Sequence, residues 1–442
     1  MNILDFIKDN FLFLDGGMGT LLQSRGLRPG ELPECWNLSH PEEITAIHRA
    51  YYDAGSHVVN SNTFGANCLK FSDAELSSIV CAAIKNVRTA ADQSQSSQPK
   101  WVALDIGPLG RLLKPYGDLD FEDAVSVFAK TIRLGVKYGA DLIFIETMND
   151  SYETKAALLA AKENSNLPVF VSNAYGEDGK LMTGANPAAM VALLEGMGAD
   201  AIGVNCSLGP KALTPVVNEY LKYASVPVLL KPNAGLPRAA EGKTFYDVWP
   251  EEFAADVVDL MQKGVRIAGG CCGTTPEHIA ALTRTADFSP VPMTGKNHTL
   301  VSSYTHAVFF GEKPVLIGER INPTGKKRFR EALKTGDAVI GNRTKIKVVK
   351  NKVAPPFRTA ECEIYFGKGI SASSSVLNTA VTLGIVDKSG AWFSYNDVRI
   401  GQGRDNARRY LEENPAILEE IKAKVLKATG VYGSVEDTAE EK

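Results

Sequence analysis

Eight short apolar runs recur through the first 275 residues, and each closes on small or polar residues. They cover 11–17, 57–64, 101–108, 141–148, 168–175, 201–207, 227–235 and 265–274. Strands buried on both faces of a parallel sheet read as continuous apolar runs, whereas half-exposed strands alternate. Helix-like segments separate them, for example 41–54, 121–138, 151–164 and 251–263. Several open on N-terminal helix signals: Ser39 before Pro41, Asp120 before Phe121, and Pro250 followed by Glu251 and Glu252. Eight strand–helix repeats within the first 287 residues predict an α/β fold, a (β/α)8 TIM barrel. A doubly wound open sheet is the rival, but no Gly-x-Gly-x-x-Gly fingerprint follows the first run.

In such barrels the chemistry sits at the carboxyl ends of the strands. The run ends here carry Asp15, Asn62, Thr63, Asp105, Glu146, Asn173, Asn205, Cys206, Asn233, Cys271 and Cys272. The chain has seven cysteines, and three of them fall at the sixth and eighth run ends. Thiolates are preferred ligands of zinc, and three protein ligands leave a fourth tetrahedral position open. Adjacent residues of a regular strand point to opposite faces, so Cys271 and Cys272 share one ion only if the backbone leaves strand geometry. Gly269, Gly270 and Gly273 supply that freedom. Buried structural cysteines or a vicinal disulfide at 271–272 are the alternative readings. Zinc with three thiolates is a weak Lewis acid, suited to holding a fourth thiol as thiolate, and the chemistry this implies is alkyl transfer to sulfur.

The bulk numbers narrow the classes. A net charge of -3 with 22% charged and 44% hydrophobic residues fits an ordinary globular protein and no overall basic character. No run of about 18 apolar residues predicts a membrane span. The first ten residues carry Asp5 and Asp9 and show no signal-peptide core, so the expected compartment is cytoplasmic.

Four motifs carry a resemblance: Asp15-Gly16-Gly17-Met18-Gly19-Thr20, Asn205-Cys206-Ser207, Lys231-Pro232-Asn233-Ala234-Gly235 and Gly269-Gly270-Cys271-Cys272-Gly273-Thr274. Residues 11–287 resemble the homocysteine S-methyltransferase family, in particular the homocysteine modules of cobalamin-dependent methionine synthases. The resemblance implies that Cys206, Cys271 and Cys272 bind zinc (Zn2+) and that homocysteine sulfur takes the open position. It implies that Asp15 and Glu146 hold the substrate amino group, that Asn233 can occupy the fourth position without substrate, and that Asn173 and Asn205 add contacts. It also implies methylcobalamin as an external methyl donor on a separate corrinoid protein. S-methylmethionine and betaine serve as donors in the wider family.

Beyond residue 287 the pattern changes. Residues 288–313 read as a linker rich in Pro, Ser, Thr and Gly, and 314–335 resemble the opening of a folate-binding barrel cut off after its first strand. Residues 336–428 form a small α+β module resembling the carboxyl end of a bacterial RecA-type recombinase, through Val339-Ile340-Gly341-Asn342-Arg343, Ser389-Gly390-Ala391-Trp392-Phe393-Ser394-Tyr395 and Ile400-Gly401-Gln402-Gly403-Arg404. Residues 371–379 depart from that family's pattern, and 429–442 read as a disordered acidic tail. The P-loop is nowhere in the chain, which excludes ATP-driven strand exchange. Lys345, Lys347, Lys350, Lys352 and Arg404 are the candidate phosphate contacts, although duplex DNA is not the expected partner. The alternative function is therefore a DNA-binding, recombinase-derived fragment fused to an inactive barrel, with a crossover at Gly336-Asp337. Strands at 314–319 and 338–353, cut from their parent sheets, are expected to lack partners, leaving 288–355 poorly packed.

Overall fold

All eight runs become strands of one parallel sheet in the computed structural model, which describes residues 2–240, 243–310, 332–335, 338–347, 359–365 and 369–429. They are β1 Leu12–Phe13, β2 Val58–Asn60, β3 Trp101–Ile106, β4 Leu142–Met148, β5 Val169–Asn173, β6 Ala201–Asn205, β7 Val228–Lys231 and β8 Ile267–Ala268. The order β1-β8-β7-β6-β5-β4-β3-β2 is brought round by a parallel bridge from Leu14 to Val58. This is the expected (β/α)8 TIM barrel.

The continuous apolar runs resolve into two faces, as strand geometry requires. Leu12, Leu14, Val58, Ala103, Leu142, Phe144, Phe170, Ala201, Leu229 and Ile267 form one buried cluster inside the ring. Their neighbours Phe11, Phe13, Val59, Val102, Leu104, Ile143, Val171 and Leu230 belong to the outer core, packed against the helices. Helices Phe121–Tyr138 and Ser151–Asn164 match the sequence reading, and the first stops at Gly139 with φ +90°. Ser39 does not cap helix Pro41–Asp53. His40 is its N-cap, while the Ser39 hydroxyl donates to the Cys35 carbonyl at 3.2 Å. Asp120 stands at the N-cap of its helix, but its carboxylate pairs with Lys114 Nζ at 2.8 Å and caps no amide.

A short helix, Ile3–Asp9, closes the amino-terminal end of the barrel. Ile3 and Ile7 join the interior cluster, and Phe6 packs on His57 and Trp101, at the starts of β2 and β3. Each such buried aliphatic side chain contributes about 1.5–3 kcal/mol. Arg266, just ahead of β8, locks the helix by donating to the Ile7 and Lys8 carbonyls at 2.7 and 2.8 Å. Every site residue is thereby left to the opposite end.

Residues 288–310 are not the bare linker the sequence suggested. Strands Thr299–Ser302 and Ala307–Phe310 form an antiparallel hairpin that packs on helix Pro187–Gly196. At its turn the Tyr304 hydroxyl donates to buried Asp150 at 2.8 Å and the Tyr304 carbonyl accepts from Ser151 at 2.8 Å. The Arg266 guanidinium also bonds the Val291 carbonyl. Backbone pairing and these polar anchors supply the order that an apolar signal did not announce.

The chain divides into two compact units, Met1–Val315 and Leu316–Lys442. In the second, the strand Ala338–Lys347 is paired on both sides, with Ala332–Thr335 and with Thr359–Tyr365. The expectation of an unpaired strand there is therefore corrected, because the strand has an antiparallel neighbour on each side. The small α+β module follows. Helix Ala372–Thr382 starts on the side-chain cap of Ser371, and a three-stranded antiparallel sheet, Asp387–Ser389, Trp392–Tyr395 and Val398–Gln402, precedes helices Arg404–Glu413 and Pro415–Thr429. Leu377, Phe393, Tyr395, Ile400, Leu411 and Ile421 are among its core residues. The folate-like strand at 314–319 and the acidic tail beyond 429 lie outside the described residues. No helix among the described residues is long and apolar enough to cross a membrane.

Candidate metal and substrate site

Three thiols converge where β6 and β8 end. The Sγ atoms of Cys206, Cys271 and Cys272 all lie within 4.8 Å of one another, and those of Cys206 and Cys272 are 3.9 Å apart. A tetrahedral zinc with bonds of about 2.3 Å has sulfur–sulfur edges of about 3.8 Å, so the donor set fits the ion. All seven cysteines are free in this structure.

The backbone leaves strand geometry here in two ways. Cys206 and Ser207 take φ +60° and +61°, a left-handed conformation that costs side-chain-bearing residues about 1–3 kcal/mol each. Around Cys271-Cys272, conformational freedom is confined to Gly273, at φ +80°. Gly269 and Gly270 serve by their lack of volume, since a Cβ would stand 2.8 Å from the Asp15 carbonyl or 2.3 Å from Thr274 Oγ1. The Cys272 thiol is driven well below its ordinary range, to about 3, by hydrogen bonds from the Cys206 and Cys271 thiols, with a smaller one from the Tyr246 hydroxyl.

Beside the sulfurs lies a buried charge cluster. Lys231, last in β7, places Nζ 2.9 Å from Asp15 Oδ1 and 3.2 Å from Glu146 Oε2. All three side chains are buried. Burial alone would discharge the Lys231 ammonium, but Asp15 and Glu146 outweigh it and raise its pKa above the ordinary value. Burial pushes Asp15 and Glu146 up in turn, and Lys231 opposes that push. Asp105 is held higher still, by burial and by the nearby Glu146. The sulfurs, these acids, Lys231, Met18, Glu34 and Phe64 line a cavity of about 390 Å³.

The structure thus brings together Cys206, Cys271, Cys272, Asp15 and Glu146. The three candidate asparagines do not line the cavity. Asn205 is a brace: its Oδ1 accepts from the Thr147 amide and the Ser172 hydroxyl, and its Nδ2 donates to Thr147 Oγ1 at 2.7 Å. It thereby holds Thr147 at φ +61° after Glu146, and Nδ2 also lies 3.9 Å from Cys271 Sγ. Asn173 donates to the Met148 carbonyl and to Thr154. Asn233 is buried, with its amide on the Leu208 carbonyl and its Oδ1 without a partner.

Of the candidate phosphate contacts, Arg404 is engaged with buried Glu363 at 3.1 Å. Lys345 and Lys347 fall in the strand Ala338–Lys347, and Lys350 and Lys352 lie outside the described residues. Lys231, Glu34 and Tyr246 are the site residues that sequence reasoning missed. Lys231 stood inside a quoted motif at a strand end, where a lysine in an apolar run signals a buried partner.

Fold and site together define a (β/α)8 barrel protein with a three-thiol centre beside buried acids. The family model for homocysteine S-methyltransferase matches residues 12–286, and the chain belongs to that family. The models for the RecA N-terminal and C-terminal domains match 326–371 and 374–430. Methionine synthase from Mycobacterium leprae is 31% identical over 359 residues, covering 75% of this chain and 30% of that protein. Methionine synthase from Mycobacterium tuberculosis is 30% identical over 352 residues, covering 75% and 29%. The chain therefore spans less than a third of the length of these relatives. The homocysteine methyltransferase MmuM from Escherichia coli shares the barrel fold. Its oxidized form superposes with a TM-score of 0.54 at 24% identity, covering 64% of this chain and 97% of that one. Its metallated form gives 0.54 at 23%, covering 63% and 96%.

Proposed function

We propose that the barrel is a zinc-dependent homocysteine S-methyltransferase that makes methionine with a methyl group from a separate donor, methylcobalamin on a corrinoid protein. The observation that carries this reading is the convergence of three thiols with metal-site spacing in a cavity that also holds buried carboxylates. Family membership supports the substrate, and the two methionine synthases support methionine as the product; the corrinoid donor rests on the motif resemblance alone.

Cys206, Cys271 and Cys272 would hold zinc, whose charge would keep the substrate sulfur as thiolate at neutral pH. Asn205 and the left-handed turns at Thr147 and Cys206 fix the walls around that position. Lys231 bridges Asp15 and Glu146 and offsets their charge beside the thiols. In the transfer a carbon–sulfur bond forms as the methyl–donor bond breaks, and the bonding pair stays with the donor.

The test is metal content with methyl transfer from free methylcobalamin, S-methylmethionine and betaine. One equivalent of zinc, lost together with transfer in Cys272→Ala, is expected. A metal-free chain whose transfer survives that substitution would overturn the proposal.

A further inference from the structure

Neighbours on a regular strand point to opposite faces, yet Glu146 and Thr147 both line the cavity. Strand β4 allows this by slipping out of its ladder with β5 between Ile145 and Met148, and by turning Thr147 to φ +61°. A β-branched residue is a genuine outlier in that left-handed region, where its Cβ crowds the backbone. Strained positions of this kind persist only where their surroundings hold them, and they cluster at functional sites.

The hold comes from Asn205, at the end of β6. The Thr147 amide can only donate, so the atom facing it at 2.8 Å is the acceptor Oδ1, which also takes the Ser172 hydroxyl at 2.7 Å. This network fixes which way the Asn205 amide points. Its Nδ2 therefore donates to Thr147 Oγ1 at 2.7 Å and stands 3.9 Å from Cys271 Sγ. Thr147 Oγ1 is an acceptor toward Asn205, which leaves its own proton over. Among the described residues, no hydrogen bond of Thr147 uses that proton. Thr147 is half-buried, so at the wall of the thiol cavity it offers a donor without a protein acceptor. The Nδ2 that clamps it is shared with the sulfurs, which places the donor on the thiol side of the cavity.

We propose that the Thr147 hydroxyl donates its free proton to the sulfur of bound homocysteine. This rests on the methyltransferase reading above. An anionic sulfur accepts a hydrogen bond more strongly than the thioether of methionine. Thr147 thereby favours substrate over product at the reacting atom.

The experiment is calorimetric titration of the zinc-loaded full chain with L-homocysteine, and with L-methionine by displacement. The two ligands share an ammonium and a carboxylate and differ at sulfur. Wild type is compared with Thr147→Val, which keeps the branched shape without the hydroxyl, and with Thr147→Ser, which keeps the hydroxyl. Each is checked for zinc content and thermal midpoint. Thr147→Val is expected to weaken homocysteine about tenfold or more, the scale of a hydrogen bond to a charged group, and to leave methionine within about twofold. Thr147→Ser should hold homocysteine within about threefold of wild type, and zinc should stay at one equivalent in both. Should Thr147→Val fail to fold, Thr147→Gly decides in its place, since glycine adopts the left-handed conformation without strain. Unchanged homocysteine affinity without the hydroxyl, equal weakening of both ligands, zinc loss, or a Thr147→Ser as weak as Thr147→Val would each overturn the contact and leave the methyltransferase reading standing. A wild-type chain that binds neither zinc nor homocysteine would overturn both.

Discussion

Lys231 is a lysine that is 2% exposed, and its stability consequences follow from what surrounds it. Removing one partner of a buried ion pair leaves an uncompensated charge, which costs about 3–5 kcal/mol. Lys231→Met would leave Asp15 and Glu146 buried without their shared cation. Urea unfolding at pH 8 is expected to show a loss of about 3 kcal/mol or more. The loss shrinks toward pH 5, because both carboxylates already have raised pKa values and shed their charge by taking up protons. An equal loss at both pH values would mean that Lys231 acts by packing alone. Asn205 offers a second residue-scale test, since Asn205→Ala removes four hydrogen-bond contacts around Thr147, Ser172 and Cys271. Thr147 is then expected to relax out of its left-handed conformation. Zinc affinity should fall with a thermal midpoint lowered by several degrees, the scale of about 1–2 kcal/mol. Unchanged zinc affinity would make Asn205 a strand filler and no brace for the thiols.

At the scale of elements, helix Ser151–Asn164 carries a built-in pH dependence. Glu153, 3% exposed, accepts the Leu109 amide on Oε1 at 2.7 Å, and burial pushes its carboxyl up to about 7 from an ordinary 4.5. The folded state therefore holds a proton that the unfolded chain releases between those values. Its stabilising effect is complete below about pH 4.5 and is lost as pH rises through about 7, a difference of roughly 3 kcal/mol. Glu153→Gln keeps the acceptor for Leu109 without the charge. It is expected to raise stability at pH 8 and flatten the pH profile between 5 and 7, read by denaturant midpoints. A profile as steep as wild type would place the titration elsewhere. The strands and the helices Phe121–Tyr138 and Ser151–Asn164 were legible because burial on two faces and helical periodicity both write themselves into apolar positions. The hairpin Thr299–Ser302 with Ala307–Phe310 was not. None of its side chains is fully buried, and backbone pairing and Tyr304 hold it in place. Helix Ile3–Asp9 was missed for a related reason, since seven residues are too few to show a period and its anchor, Arg266, lies 259 positions from Ile7. The thiols were legible as residues. That Asp15 and Glu146 share a lysine was not, because that depends on where Lys231 Nζ comes to rest.

For the whole molecule, two compact units correspond to matches with unrelated families, a methyltransferase barrel and the carboxyl part of a RecA-like chain. The second unit has its own core around Leu377, Phe393, Ile400 and Ile421, and its Arg404 is tied to Glu363. An ion pair of that kind reduces what Arg404 can offer a phosphate. The first unit sets where the chain can be divided. A cut after residue 290 would follow the end of the matched barrel, yet it would remove the Val291 carbonyl from Arg266 and the Tyr304 hydroxyl from buried Asp150. Each buried polar group left short of a partner costs about 1–3 kcal/mol. Residues 1–310, which keep the hairpin, are expected to fold with the zinc stoichiometry and homocysteine affinity of the full chain. Residues 1–290 should unfold at a urea midpoint lower by an amount equivalent to at least about 2 kcal/mol. Equal midpoints for the two fragments would show that the hairpin merely rests on the barrel, and would return the boundary to the end of helix Pro276–Thr285.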